Sequence, residues 1–222
     1  STRKESSAAS DVYKRQVPFF NPGENIPWNR VVKMMREQTN LAEQADFTTV
    51  WLTEHHFAHN GYLNAPPNPI MMSLDLASHS KKIRVGQAPI VLPDWHPLRV
   101  AEDIALLDNM TEGRVDFGVA KGINERVTLQ FNKEADRRDN EKSYRLFMES
   151  LDIILKAWTQ NPFTHKGEFY EFPVPGWKET NRFLMPLEKE YHAEDGEYTG
   201  MYICLLYTSD AADDSLRVDL GG

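Results

Sequence analysis

Apolar positions along this chain follow two alternating periods. In "PWNRVVKMMREQTNLAEQAD" (27–46), Val31, Met34/Met35, Gln38, Leu41/Ala42 and Ala45 fall near one helical face, and Pro27 suits a first turn. "FTTVWL" (47–52) is rich in β-branched and aromatic residues and reads as a strand running into "TEHHF". The pattern then repeats. "PPNPIMMSLDLASHS" (66–80) predicts a helix, "KIRVGQAPIVL" (82–92) a strand, "HPLRVAEDIALLDNMTEG" (96–113) a helix stopped by Gly113, and "RVDFGVAKG" (114–122) a strand. The polar stretch at about 122–140 reads as a long loop, and "EKSYRLFMESLDIILKAWTQ" (141–160) as a helix with Leu151, Ile154, Leu155 and Trp158 at helical spacing. "VPFF" (17–20) reads as the end of a strand before all of these, and "FTHKGEFYEF" as a hairpin around Lys166–Gly167. The stretch "NRFLMPLEKEYHAEDGEYTGMYI" (181–203) has no clear periodicity and is expected to be loop.

Strand and helix alternating four times with short joins predict a parallel α/β sheet, either a barrel or an open doubly wound sheet. In both, function gathers at the carboxyl ends of the strands. "EHH" follows the second strand, "AP" lies within the third and "AKG" follows the fourth, so the three segments are expected on the same rim.

The two ends change the picture of length and charge. "DVYKRQ" (Asp11 to Gln16) can be written GAT GTG TAT AAG AGA CAG. "CLLYTS" (Cys204 to Ser209) can be written TGT CTC TTA TAC ACA TCT, the reverse complement of the first apart from a frame offset. Both match the end of a transposase-type sequencing adapter, and "SSAAS" and "SDAAD" continue the match outward. Residues 1–16 and 204–222 are therefore expected to be translated adapter, leaving one native domain at 17–203. Of the formal charge of −8, the front tail carries +2 and the back tail −3, so the rest carries −7. An acidic balance argues against nucleic acid or an anionic membrane as partner. No apolar run approaches the roughly 20 residues of a membrane span. The single cysteine, Cys204, lies in the back tail, so 17–203 offers no disulfide or thiolate ligand. This fits a reducing compartment, and a cytoplasmic location is expected.

"TEHHFAHNG" (53–61) gathers three of the seven histidines. They could be metal ligands, a catalytic base with helpers, or polar residues at a strand end. Neighbouring residues of a strand point to opposite faces, so His55 and His56 do not converge easily. The helical HExxH spacing is also missing, and no metal is expected. His96 precedes a helix and suits capping or packing. "FGVAKG" lacks the spacing of a dinucleotide fingerprint.

"VWLTEHHF", "VGQAPIVLPDWHPLRVAEDIALLDNMTEGRVDFGVAKG" and "ESLDIILKAWTQNPFTHKGEFY" together resemble the bacterial luciferase-like flavin monooxygenases, over nearly all of residues 17 to about 175. The resemblance implies a (β/α)8 TIM-barrel fragment, about the first four strand–helix units, ending before the fifth strand. As written, the chain is expected to be inactive. The resemblance also implies a flavin at the carboxyl rim: reduced FMN, with a deazaflavin as the alternative. His55 would act near the flavin and the peroxide intermediate, with Glu54 and His56 as neighbours in the motif.

Ala88–Pro89 occupies the place of a cis peptide beneath the flavin ring, and a cis bond before proline costs only about 0.5–1 kcal/mol. Lys121, followed by Gly122 and Ile123, stands where relatives often place a phosphate-holding arginine. It keeps the charge without the bidentate fork. The expected reaction adds one oxygen atom from O2 to a small apolar organic substrate of aldehyde, terpene or alkane type. Implied partners are a separate flavin reductase and a second chain in a homo- or heterodimer. The alternatives are a deazaflavin-dependent dehydrogenase and a non-catalytic flavin-binding partner subunit.

Overall fold

In a computed structural model of the chain, the structure describes residues 26–57, 65–160 and 162–175. The strand expected at 17–20, the loop expected at 181–203 and both adapter-like tails lie outside the described residues. The chain divides into two compact units. Among the described residues, the first holds 26–91 and Leu106–Gly122, and the second Leu92–Ala105 and the residues from Ile123 onward.

The first unit contains α1 (Trp28–Gln44), β1 (Thr49–Leu52), α2 (Pro69–Ser78), β2 (Arg84–Val91) and β3 (Val115–Ala120). The three strands are parallel and lie in the order β1-β2-β3. Strands that pair in chain order suit a barrel. A doubly wound sheet reverses its order at a switch point. α2 begins later than its prolines suggest, because Asn68 is the cap: its side chain accepts the Met71 N–H at 2.9 Å. Gly113, at φ +80°, ends α3 (Pro97–Met110) as expected, and its N–H donates to the Asp108 carbonyl at 3.0 Å.

One face of the sheet is apolar. Leu52 and Val85 pack there with Val31 and Met35 of α1 and with Leu76 and Ala77 of α2. Leu52 is fully buried, so Leu52→Ala would cost about 2–5 kcal/mol. Leu41, placed on the same helical face by the pattern, is 59 % exposed, and the adjacent Ala42 takes the buried position.

The opposite face is built differently. At the amino end of the strands, Asp116 accepts from Thr49 Oγ1 at 2.9 Å and from Arg84 Nε at 2.9 Å. The same guanidinium donates to the carbonyls of Gly113 and Val115. Further along, Trp51 of β1 is register partner to Gly86 of β2. A Cβ at Gly86 would lie 2.5 Å from the Trp51 ring, and one at Gly118 would lie 2.3 Å from the Gln87 carbonyl oxygen. Glycine is required at both positions: at Gly86 by the indole and at Gly118 by the close approach of β2.

The second unit holds a 3₁₀ turn at Leu92–Asp94, the start of α3, α4 (Glu125–Phe131), α5 (Asn140–Thr159) and the hairpin β4 (His165–Lys166) and β5 (Glu171–Phe172). α4 corrects the expectation of a loop throughout 122–140. It is only seven residues long, too short to show periodicity, and rests on local bonds. Asn124 Oδ1 accepts from Arg126 N at 3.1 Å, and the buried Thr128 hydroxyl donates to Ala135 O at 3.1 Å. α5 buries Leu146, Leu151, Ile153 and Ile154, and one of its carboxylates, Glu149, organises the hairpin. It accepts the N–H groups of Glu168, Phe169 and Tyr170 and bonds His165 Nε2 at 3.0 Å. His96 packs edge-on against Tyr170 and Phe172, which bears out its packing role. No helix among the described residues is long and apolar enough to cross a membrane.

Candidate functional site

The carboxyl ends of β1, β2 and β3 carry the motifs singled out in the sequence. β1 ends at Leu52, and the extended segment that follows carries Glu54, His55 and His56. Glu54 is buried, and both of its carboxylate oxygens are engaged. Oε2 accepts the backbone N–H of Val91 at 2.9 Å, and Oε1 bonds His56 Nε2 at 2.8 Å. The carboxylate thus ties the end of β1 to the end of β2. Residues two apart on extended chain point the same way, which is why Glu54 reaches His56. His55 is held through its backbone, whose N–H donates to Pro66 O at 3.4 Å. Burial holds its imidazole below the ordinary 6.5, with the Glu54 charge pulling the other way. At neutral pH the uncharged imidazole is therefore favoured.

The next residue, Phe57, has φ +60° and is 63 % exposed. A left-handed backbone costs a bulky residue roughly 1–2 kcal/mol. Such positions concentrate at functional sites. Nothing in the periodicity flags Phe57, because the strain depends on where the chain must turn after the histidine pair. His59 lies outside the described residues.

On β2, the Ala88–Pro89 peptide is cis. The β2–β3 register shifts between Gln87 and Ile90, so the ladder is interrupted at this dipeptide. Ala88 is the one exposed residue of the central strand. On the helix side, Gln87 is anchored by Nε2 donating to Ser73 Oγ at 2.8 Å. After β3, Lys121 and Gly122 are partly exposed, with Gly122 at φ +77°. Ile123 begins the second unit and is 91 % exposed. Glu54, His56 and Val91 are thus joined by direct bonds, while Ala88 and Pro89 lie within β2 and Lys121 and Gly122 follow β3 of the same sheet.

Trp51 is absent from the sequence expectations. Its Nε1 is buried with no hydrogen-bond partner among the described residues. The signal was the pair of glycines on β2 and β3, legible only once register places Gly86 beside the indole.

Comparison with known proteins decides the lineage. Residues 17–188 match the family described as luciferase-like monooxygenase. The chain belongs to this family. It is 34 % identical over 143 residues to the alkanal monooxygenase alpha chain of the Kryptophanaron alfredi symbiont, covering 64 % of this chain and 38 % of that one. It is 29 % identical over 139 residues to the oxygenase component of the flavin-dependent trigonelline monooxygenase of Acinetobacter baylyi, covering 63 % of this chain and 37 % of that protein. Among solved structures, it resembles the oxygenating constituent of 3,6-diketocamphane monooxygenase of Pseudomonas putida in complex with FMN. The TM-score is 0.60 at 22 % identity, covering 69 % of this chain and 41 % of that one. An F420-dependent secondary alcohol dehydrogenase is similar with a TM-score of 0.58 at 17 % identity, covering 86 % and 48 %. These likenesses establish the fold as part of the luciferase-like TIM barrel. The chain spans about two fifths of the length of the first two relatives.

Proposed function

We propose that the protein is a flavin-dependent monooxygenase that uses reduced FMN and O2 on a small apolar organic substrate. The observation that carries this reading is His55: an imidazole kept neutral by burial, at the carboxyl end of a strand, next to a carboxylate already committed to the scaffold. A base of this kind must be uncharged at working pH, and the burial of His55 favours that form.

The chain's residues suit a flavin. On the face opposite α1 and α2 the Trp51 ring lies over Gly86, and Ala88 leaves the central strand uncovered. A flavin there would supply the redox and oxygen chemistry, which no side chain of this set can perform. His55 would take and return a proton beside the ring. Glu54 would act as a positioning residue, holding His56 and the two strand ends. Ala88 and Pro89 would shape the seat. Lys121, with Gly122 and Ile123 after it, would offer a point charge to the phosphate. An apolar pocket would exclude water from the reacting atoms. A separate reductase and a second chain complete the reading. The alpha and beta alkanal monooxygenase chains among the relatives support it by their names.

Lys121 in place of a bidentate arginine keeps a second reading open: a deazaflavin-dependent dehydrogenase that transfers hydride and uses no oxygen. The likeness to an F420-dependent dehydrogenase supports it. The deciding experiment mixes the natural full-length protein with reduced FMN and labelled O2 across a panel of aldehydes, ketones and alkanes. Label in an organic product, together with slower FMN re-oxidation than in buffer, is the expected outcome. Re-oxidation at the free rate, with tight binding of the deazaflavin instead, would replace the first reading by the second.

A further inference from the structure

The indole of Trp51 has no place in the proposed chemistry, yet the sheet is built around it. Its register partner is Gly86, and a methyl group there would come within 2.5 to 2.9 Å of three of its ring atoms. Its far edge lies 3.7 Å from where a Cβ on Gly118 would stand. The ring therefore reaches from β1 over Gly86 towards Gly118, on the face opposite α1 and α2.

A core tryptophan usually finds an acceptor for its N–H. Here the nitrogen is shielded and has no acceptor among the described residues. The neighbouring polar groups of that face do not serve it. Thr49, Arg84 and Asp116 bond one another and backbone carbonyls at the amino end of the sheet. Two residues beyond Gly86 lies the exposed Ala88.

We propose that Trp51 is the floor of the seat and a positioning residue, with its indole N–H donating to a carbonyl oxygen of the bound organic molecule. Gly86 is glycine so that the ring can lie low enough to leave room above it. The inference rests on the flavin reading and deepens it. Two molecules of that reaction carry carbonyl oxygens, the flavin ring and an aldehyde or ketone substrate, and the N–H serves whichever lies against it.

The test uses the natural full-length protein, titrated by calorimetry with FMN and, separately, with a long-chain aldehyde. Trp51→Phe keeps the aromatic plane and removes the donor. It is expected to weaken one of the two ligands by roughly 3- to 10-fold, the worth of one neutral hydrogen bond, with the melting temperature nearly unchanged. The ligand that weakens identifies the carbonyl. The Trp51 indole proton resonance should move downfield with that same ligand. Gly86→Ala should raise the ring, weaken binding and lower the melting temperature, and the loss in melting temperature should be smaller in a Trp51→Leu background. Normal affinities for both probes in Trp51→Phe, with the wild-type Trp51 indole resonance unmoved by either probe, would overturn the role of Trp51 and leave the flavin reading standing. A wild-type protein that binds neither probe would overturn the flavin reading, and this inference with it.

Discussion

The two ends of the same parallel sheet are built for different purposes. At the amino ends of the strands the charges of Asp116 and Arg84 are committed. Asp116 is nearly buried and accepts from Thr49 and Arg84, and Arg84 spends its remaining donors on two carbonyls. Nearby, Glu43 at the end of α1 receives the backbone N–H groups of Lys81, Lys82 and Ile83 where the chain enters β2. At the carboxyl ends the pattern is the reverse. The β2–β3 ladder is interrupted at a cis peptide, Phe57 adopts a left-handed backbone, and a half-buried imidazole is held neutral. Glu54, bonded to the Val91 N–H and to His56, serves there as the strut. In a barrel the amino end is where residues secure stability and the carboxyl end is where chemistry is done. The hydrogen bonds of this sheet differ between its two ends in the same sense.

Substitutions at the two ends should therefore fail in different ways. The largest effect is expected at His55. In the full-length enzyme His55→Ala should lower product formation by roughly 10²- to 10⁴-fold, the usual worth of a positioned base, with flavin affinity mostly kept. Its folded pKa lies below 6.5, and as the proposed base it would act in its neutral form. Activity should thus be lost as pH falls through a value below 6.5, and that acid limb should vanish in the variant's residual rate. Unchanged product formation would remove His55 from the mechanism.

Asp116→Ala should do the opposite. It leaves Arg84 facing a partly buried site without its counter-charge, at a cost of about 3 kcal/mol in urea unfolding. Flavin affinity per folded molecule should stay constant. A large loss of affinity at full stability would place the functional end at the wrong end of the sheet.

The smallest effect belongs to Glu43. Backbone N–H donors, led by that of Lys82, hold its carboxyl below the usual 4.5. A lowered folded pKa means stability that is fully present above 4.5 and is lost as pH falls through the folded value. Glu43→Gln should flatten that part of the stability–pH curve and leave activity untouched. Retention of the full acid dependence in the variant would show that other carboxylates carry it.

Much of this was legible in the sequence, because helix and strand periods report burial directly. The alternation from α1 to α5 and the Gly113 stop follow from local pattern. So does the placing of "EHH" and "AKG" after strands and of "AP" within one. What escaped depends on register or on single bonds. α4 was hidden because Asn124 and Thr128, not an apolar stripe, sustain it. The Glu54–His56 pairing needed the extended geometry after β1, and the expectation had linked Glu54 to His55 as a motif neighbour. Trp51 was read only as an aromatic strand residue, since its meaning lies in Gly86 on the next strand. His55, by contrast, was chosen from its motif, and the structure adds a half-buried setting that keeps it neutral.

The most direct measurement of the division between the two ends is backbone hydrogen exchange on the full-length protein, with and without FMN. Added protection at residues 53–57, 87–91 and 119–123, with none at 84–86 or 114–117, is the outcome expected if the carboxyl ends of the strands hold the cofactor. Protection centred on Arg84 and Asp116 would contradict it.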